Sequence, residues 1–350
     1  MNARRFPLKG RHWLRRSAST PFGHAEQNSD VIARGDAVQL HFLALSGGGG
    51  DGAYGAGLLT GWTETGTRPE FQVVTGVSTG ALIAPFAFLG SDYDDILRRA
   101  YTETGQGDIF SRAVLPNLVS GAALTDTSPL YALVERFIDQ PLLDAIAIEH
   151  RRGRRLLVAT TNIDAGRPVI WDMGAIASSG NENALDLFRR VTIASASIPG
   201  LFPPVPFTVE AGGEAFTEIH VDGGITSQIF AYQPQVRLGD MIEASAFDVE
   251  INLHVIRNGR FQMQYHETRV VWYDLMVRSL DVLLSHQAIS DIYRIYYLSQ
   301  RDGLSFNLAY IPESFEPTPA SQFDHEYMVQ LFEFAQSQMR AGTVWNSSPF

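Results

Sequence analysis

A continuous apolar run, VQLHFLALS at 38–46, ends directly in four consecutive glycines, Gly47 to Gly50, and the small-residue stretch AYGAGLLTGW follows at 53–62. Few chain geometries accept this order. Apolar, β-type residues without polar alternation describe a strand covered on both faces, as in a parallel sheet. The segment after the glycines has helical composition, although its own glycines weaken helix propensity. A run of glycines costs conformational entropy, so it belongs where the backbone must adopt positive φ or come close to a bound group. Regular structure is therefore expected to start near Ala37 with a strand–turn–helix unit.

The pattern recurs in FQVVTGVSTGALIAPFAFLG at 71–90, which predicts a short strand over 71–74, a tight turn holding Ser78 and a helix opening at Thr79 to Ala81. Two such units in succession point to β-α-β winding. Further strands are expected in RRLLVATTNID (154–164), PVIWDM (168–173), EIHVDGG (218–224) and EINLHVIRN (250–258), with helices at 92–103, 128–138 and 184–194. The stretch 267–301 shows helical spacing, with Val271, Leu275, Leu280, Leu283 and Leu284 on one side, and 324–339 is a second amphipathic candidate. Both are expected to pack on the sheet rather than enter a membrane. The fold class expected is α/β: a three-layer α/β/α sandwich with a mainly parallel central sheet. Residues 1–36 read as a basic leader, 37–311 as one α/β domain and 312–350 as a helical segment packed on it.

Charge and composition remove several functions. The net charge of −11 argues against a nucleic-acid surface. Arg4, Arg5, Lys9, Arg11, Arg15 and Arg16 all precede the first acid, Glu26, and an arm of this kind without apolar periodicity reads as a solvated tail in preference to a lipid contact. With no cysteine, disulfides, thiolate metal sites, a cysteine nucleophile and a lipid-modified terminal cysteine are ruled out. The arm has no apolar h-region, and the longest apolar run, ALIAPFAFL at 81–89, is too short to span a bilayer. Cytoplasmic residence is the default expectation.

Gly47, Gly49 and Gly52 spell the G-x-G-x-x-G of a dinucleotide site. That reading needs an acid at the end of the next strand, which instead closes on Val74, Thr75 and Gly76; Glu64 and Glu70 come before it. Asp51 and Gly52 stand where a phosphate-binding loop needs Gly-Lys, so nucleotide binding is disfavoured. The second motif, G-V-S-T-G from Gly76 to Gly80, puts Ser78 on a sharp strand-to-helix turn with its hydroxyl presented at the helix start. Such a serine needs a base and needs donors for an oxyanion. Backbone N–H groups of Gly48 and Gly49, bare of side chains, are suited to the second task. For the first, Asp222 ends a strand candidate ahead of Gly223 and Gly224, a second glycine-punctuated turn. The nine histidines, His12, His24, His41, His150, His220, His254, His266, His286 and His325, all lack such a setting.

Taken together, GGGGDG at 47–52 with Gly50 at its centre, GVSTG at 76–80, DGG at 222–224 and the segment VTIASASIPGLFPPV at 191–205 resemble the patatin-like phospholipase family over roughly residues 38–230. The resemblance implies an α/β/α hydrolase that cleaves lipid acyl esters with a Ser-Asp dyad and no histidine. Carried onto this chain, it implies Ser78 as nucleophile, Asp222 as general base and the turn at Gly48 and Gly49 as oxyanion hole. It further implies a lipid or other acyl-ester substrate; peripheral contact with a membrane surface is a further expectation, and with no calcium loop or histidine-carboxylate cluster in the sequence, neither cofactor nor metal is expected. The chain departs from the family at Asp51, where relatives carry Arg or Lys, which reverses the local field. Two alternatives stay open: a Ser-His-Asp esterase using His254, His266, His286 or His325, and a catalytically silent lipid-binding protein of the same fold. LFPPVPF at 201–207 could line an acyl groove, but core packing or a turn is the favoured role.

Overall fold

The computed structural model describes residues 37–109, 111–112, 125–126, 128–265, 267–321 and 323–350. The basic leader, with His12 and His24, and also His266 lie outside the described residues. In chain order the main elements are β1 (Val38–Leu45), α1 (Gly52–Glu64), β2 (Val73–Gly76), α2 (Thr79–Leu89), α3 (Asp94–Thr102), α4 (Ser128–Phe137), α5 (Gln140–Arg151), β3 (Arg155–Asn162) and β4 (Arg167–Asp172). They continue with α6 (Ala184–Ser195), β5 (Val205–Ala211), β6 (Glu214–Asp222), β7 (Val249–Arg257), α7 (Trp272–Asp302), β8 (Ser305–Tyr310) and α8 (His325–Arg340).

The strands form one eight-stranded sheet in the order β8-β7-β1-β2-β3-β6-β5, with β4 also paired to β3. Strands β8, β7, β1, β2 and β3 run parallel, whereas β4, β6 and β5 pair antiparallel. The sheet is thus mainly parallel and covered by helices on both faces, the α/β/α sandwich the sequence predicts. β1 explains the doubly covered pattern. Leu43 and Leu45 join the apolar layer built with α1, α2, α6 and α8, while Leu40, Phe42 and Ala44 join Ile292 and Ile295 of α7 on the opposite face.

The glycines inside α1 are contact points. A Cβ at Gly57 would lie 2.2 Å from the carbonyl oxygen of Phe332, and one at Gly61 would lie 2.6 Å from that of Gln336. α8 therefore packs backbone against backbone on α1, and the propensity lost in α1 is offset by this close burial.

Helix α7 differs from expectation in one half. Burial begins at Ala288, with Ile292 and Ile295 in the core. Val271, Leu275 and Leu283, expected on the packed face, are exposed, and Leu280 and Leu284 are only half-buried. The apolar spacing was real, but the first four turns of the helix extend past the sheet they were expected to cover. Among the described residues no helix is long and apolar enough to cross a membrane.

Candidate active site

β1 and β2 lie side by side with Leu45 opposite Gly76, so the turns leaving their carboxy ends meet. Ser78 caps α2 at φ 54° and ψ −124°, a conformation that non-glycine residues rarely hold without compensation. Its neighbours are small because backbone passes close by. A Cβ at Gly80 would lie 2.4 Å from the Leu45 carbonyl oxygen, and one at Gly76 would lie 2.5 Å from that of Gly80. The Ser78 N–H donates to Ser195 Oγ at 3.0 Å, and Ser195 Oγ in turn donates to the Ala159 carbonyl at 2.7 Å.

Asp222 reaches the same place by a route the sequence did not suggest. Its strand was expected to deliver it at the carboxy edge of a parallel sheet, but β6 runs antiparallel to β3, with Asp222 opposite Thr160 near the carboxy end of β3. The carboxyl is buried beside the Ser78 hydroxyl. Oδ1 accepts from the Gly224 N–H at 2.7 Å, and buried Oδ2 has no hydrogen-bond partner among the described residues. Burial pushes the Asp222 pKa up to about 7, against the smaller opposing influences of Ser78 and the Gly224 N–H. A buried carboxylate with one idle oxygen is thereby a competent proton acceptor near neutrality.

The glycine turn is pinned from across the molecule. Asn258, just past β7, accepts the Gly55 N–H on Oδ1, donates from Nδ2 to the Ser46 carbonyl and gives its own N–H to Ser46 Oγ. The Gly47 N–H donates to the Gln228 carbonyl at 3.0 Å. Gly49 sits at φ +57°, and the N–H groups of Gly48 and Gly49 have no acceptor among the described residues. A Cβ at Gly48 would lie 1.9 Å from the Asn258 carbonyl oxygen. Gly48→Ala must therefore push the turn away from β7 and is expected to cost about 1–3 kcal/mol of stability, read as a lowered Tm.

Ser78 and Gly49 open onto an apolar pocket that with its mouth encloses about 830 Å³. Leu82, Phe86, Leu97, Val134, Ile198 and Phe202 are among its lining residues. LFPPVPF at 201–207 therefore divides: Phe202 faces the pocket, while Val205 to Phe207 enter β5.

The Asp51 N–H donates to the Gly48 carbonyl at 3.1 Å, but its side chain turns to α8. Its Oδ1 accepts from the Tyr327 hydroxyl of α8 at 2.7 Å. Burial raises its pKa to about 6, with the Tyr327 hydrogen bond and the fields of Arg260 and Arg257 acting the other way. The reversed charge is thus bound to α8 and partly offset by two arginines. No described hydrogen bond joins a histidine to Ser78 or Asp222. His254 pairs with His41 at 3.2 Å in an aromatic setting with Trp62 and Trp345, His325 approaches the Thr104 carbonyl and His286 is exposed on α7.

Several residues around the site were not legible in the sequence. Ser195 and Ser197 lie in the segment singled out at 191–205, yet their tasks appear only in the fold: Ser195 holds the Ser78 N–H, and the Ser197 carbonyl accepts the Asp222 N–H at 2.9 Å. Asp291 of α7 is buried and accepts from Ser227 Oγ and from the N–H of Gln228. It fixes the loop that joins the Asp222 turn to Gly47. A strand-ending Asn258 beside Gly259 was the one available signal for the pin on the glycine turn.

The family model described as Patatin-like phospholipase matches residues 43–233. No curated protein matches the chain by sequence. Similar solved structures include VipD from Legionella pneumophila (12% identity, 88% of this chain and 67% of that one, TM-score 0.33). The type III effector protein ExoU is another (15% identity, 87% and 53%, TM-score 0.29), as is full-length ExoU from the type III secretion system of Pseudomonas aeruginosa in complex with SpcU (13% identity, 87% and 52%, TM-score 0.25). The chain spans about half the length of ExoU.

Proposed function

The chain belongs to the patatin-like phospholipase family, and from that premise we propose that it is a lipid acyl hydrolase working through a Ser78–Asp222 dyad and an acyl-enzyme. The observation that carries this reading is the Ser78 hydroxyl beside a buried carboxyl whose Oδ2 has no hydrogen-bond partner among the described residues. Asp222 accepts the Ser78 proton as Oγ attacks the ester carbonyl carbon. The oxyanion is received by the idle N–H groups of Gly48 and Gly49, each worth about 3 kcal/mol in such a role. The ester C–O bond then breaks, and the departing alcohol takes the proton from Asp222. Water, deprotonated by Asp222, attacks the acyl-enzyme and frees the acid, returning Ser78 to its hydroxyl form.

The apolar pocket suits an acyl chain, with the scissile carbonyl at the end where Ser78 and Gly49 meet. Phospholipid, lysophospholipid and neutral glyceride all present that group. A fluorophosphonate probe should label Ser78 covalently, with labelling lost in Ser78→Ala. A panel of phosphatidylcholine, lysophosphatidylcholine, diglyceride and a soluble p-nitrophenyl ester should show turnover that survives EDTA. Folded wild-type protein that stays unlabelled and turns over no member of the panel would place the chain with the silent lipid-binding alternative. EDTA inactivation reversed by calcium would overturn the metal-independent mechanism.

A further inference from the structure

The first half of α7 is the largest departure from expected burial, and its position gives it a use. β7 is parallel to β1, with Ile256 opposite Leu45. The chain leaving β7 therefore emerges at the sheet edge where the glycine turn and Ser78 lie, and it runs from there into α7. A Cβ on Gly200 would lie 3.7 Å from Met276 Cε, and Gly200 sits between Ile198 and Phe202, which line the pocket. Val270 is 90% exposed, Trp272 75% and Leu283 66%, with Leu275 also exposed. Trp272, Met276 and Leu283 fall on one stripe of the helix, at i, i+4 and i+11.

The charges around this stripe point to what it meets. In a chain of net charge −11, the residues from Arg269 to Leu283 carry two acids, and each is neutralised locally. Arg269 pairs with Asp274 at 2.6 Å, and Arg278 with Asp281 at 2.7 Å. The segment therefore adds no net acidic charge of its own where it faces out. Exposed apolar side chains with a tryptophan at the rim, continuous with the mouth of an apolar pocket, match the water–lipid interface.

We propose that Val270 to Leu283 form a membrane-docking face that seats the pocket mouth on a phospholipid bilayer by apolar insertion, an inference that rests on the lipid acyl hydrolase reading above. Docking shortens the path of a lipid acyl chain from bilayer to Ser78. Because the charges from Arg269 to Leu283 cancel, attachment depends weakly on anionic lipid and on salt.

The test is co-flotation of the full chain with vesicles of phosphatidylcholine alone, at low salt and at about 0.5 M salt. Wild type is compared with a Val270→Ser/Trp272→Ala/Leu283→Ser variant, and both Tm values are measured. Three exposed side chains are removed, so Tm should hold while vesicle affinity falls at least roughly tenfold. Vesicle-lipid hydrolysis should fall with it, and soluble p-nitrophenyl ester turnover should stay within about twofold. Equal binding by wild type and variant overturns the proposal, as does binding abolished by salt. A wild-type dimer that the variant dissociates, without vesicle binding, assigns the face to a second copy and also overturns it. Face-dependent vesicle binding with no labelling of Ser78 and no ester turnover leaves docking standing and removes the hydrolase reading instead.

Discussion

Asp222→Asn is expected to lower ester hydrolysis by about 10⁴-fold while making the protein harder to unfold near neutral pH. Both effects have one cause. Burial lifts the carboxyl to about 7 in the folded chain from an ordinary value of 3.8, so the ionised form that accepts the Ser78 proton is also the form the fold disfavours. The sign follows from linkage. Below about pH 4 the carboxyl is protonated in both folded and unfolded chains, and burial carries no ionisation penalty. As pH rises toward 7 the unfolded chain ionises first, so the folded state loses relative stability, and above 7 the penalty is complete. A shift of this size corresponds to a few kcal/mol at most, on the order of 2–4. In the variant, the carboxamide would keep an acceptor for the Gly224 N–H and place an amide N–H where Oδ2 now lies, with Ser78 Oγ as its acceptor. Urea unfolding of wild type and variant should therefore converge near pH 4 and separate by about pH 8, the variant being the more stable. In the wild type, kcat/KM should fall on the acid side with an apparent pKa of about 7. Near-wild-type hydrolysis by Asp222→Asn would remove Asp222 from the dyad.

What the sequence made legible was local. A strand running into glycines, a serine between Gly76 and Gly80, and an aspartate before Gly223 and Gly224 each declare a turn whose backbone needs are written in neighbouring residues. The direction of β6 is not local, because it depends on which strand it joins. The hairpin that reverses it was nevertheless signalled: Gly212 and Gly213, at φ +65° and +85°, are the positive-φ pair of a tight β-turn, and β5 was passed over in a segment read as groove or core. Asn258 could not be found by spacing, since it reaches Ser46 across 212 residues. Asp291 was hidden for a similar reason: an acid on an amphipathic helix looks like a solvated one until the loop at 227–229 closes over it. The apolar spacing of α7 predicted its helix correctly and its burial wrongly, because periodicity gives the direction of a face and is silent on whether anything covers it.

Ser78→Ala and Ser78→Gly are expected to abolish hydrolysis alike, by about 10⁵-fold or more, yet to differ in stability. The serine holds φ 54° and ψ −124°, which costs of order 1–3 kcal/mol for an L-residue. Alanine keeps the Cβ and with it that strain. Glycine removes the Cβ and adopts the conformation readily, at the expense of greater freedom in the unfolded chain. The balance leaves Ser78→Gly more stable than Ser78→Ala by about 1 kcal/mol, a difference that Tm or urea midpoints resolve. The elbow can hold its strain because surrounding contacts over-determine it: the Ser78 N–H is tied to Ser195, the Val77 N–H to the Leu45 carbonyl, and Gly80 sits close under β1. Equal stability of the two variants would mean that the fold relaxes once the hydroxyl is gone. Retained hydrolysis in Ser78→Ala would place the nucleophile elsewhere. Loss of activity with the glycine variant the more stable is the result expected of a chain that spends conformational energy to aim one hydroxyl at Asp222.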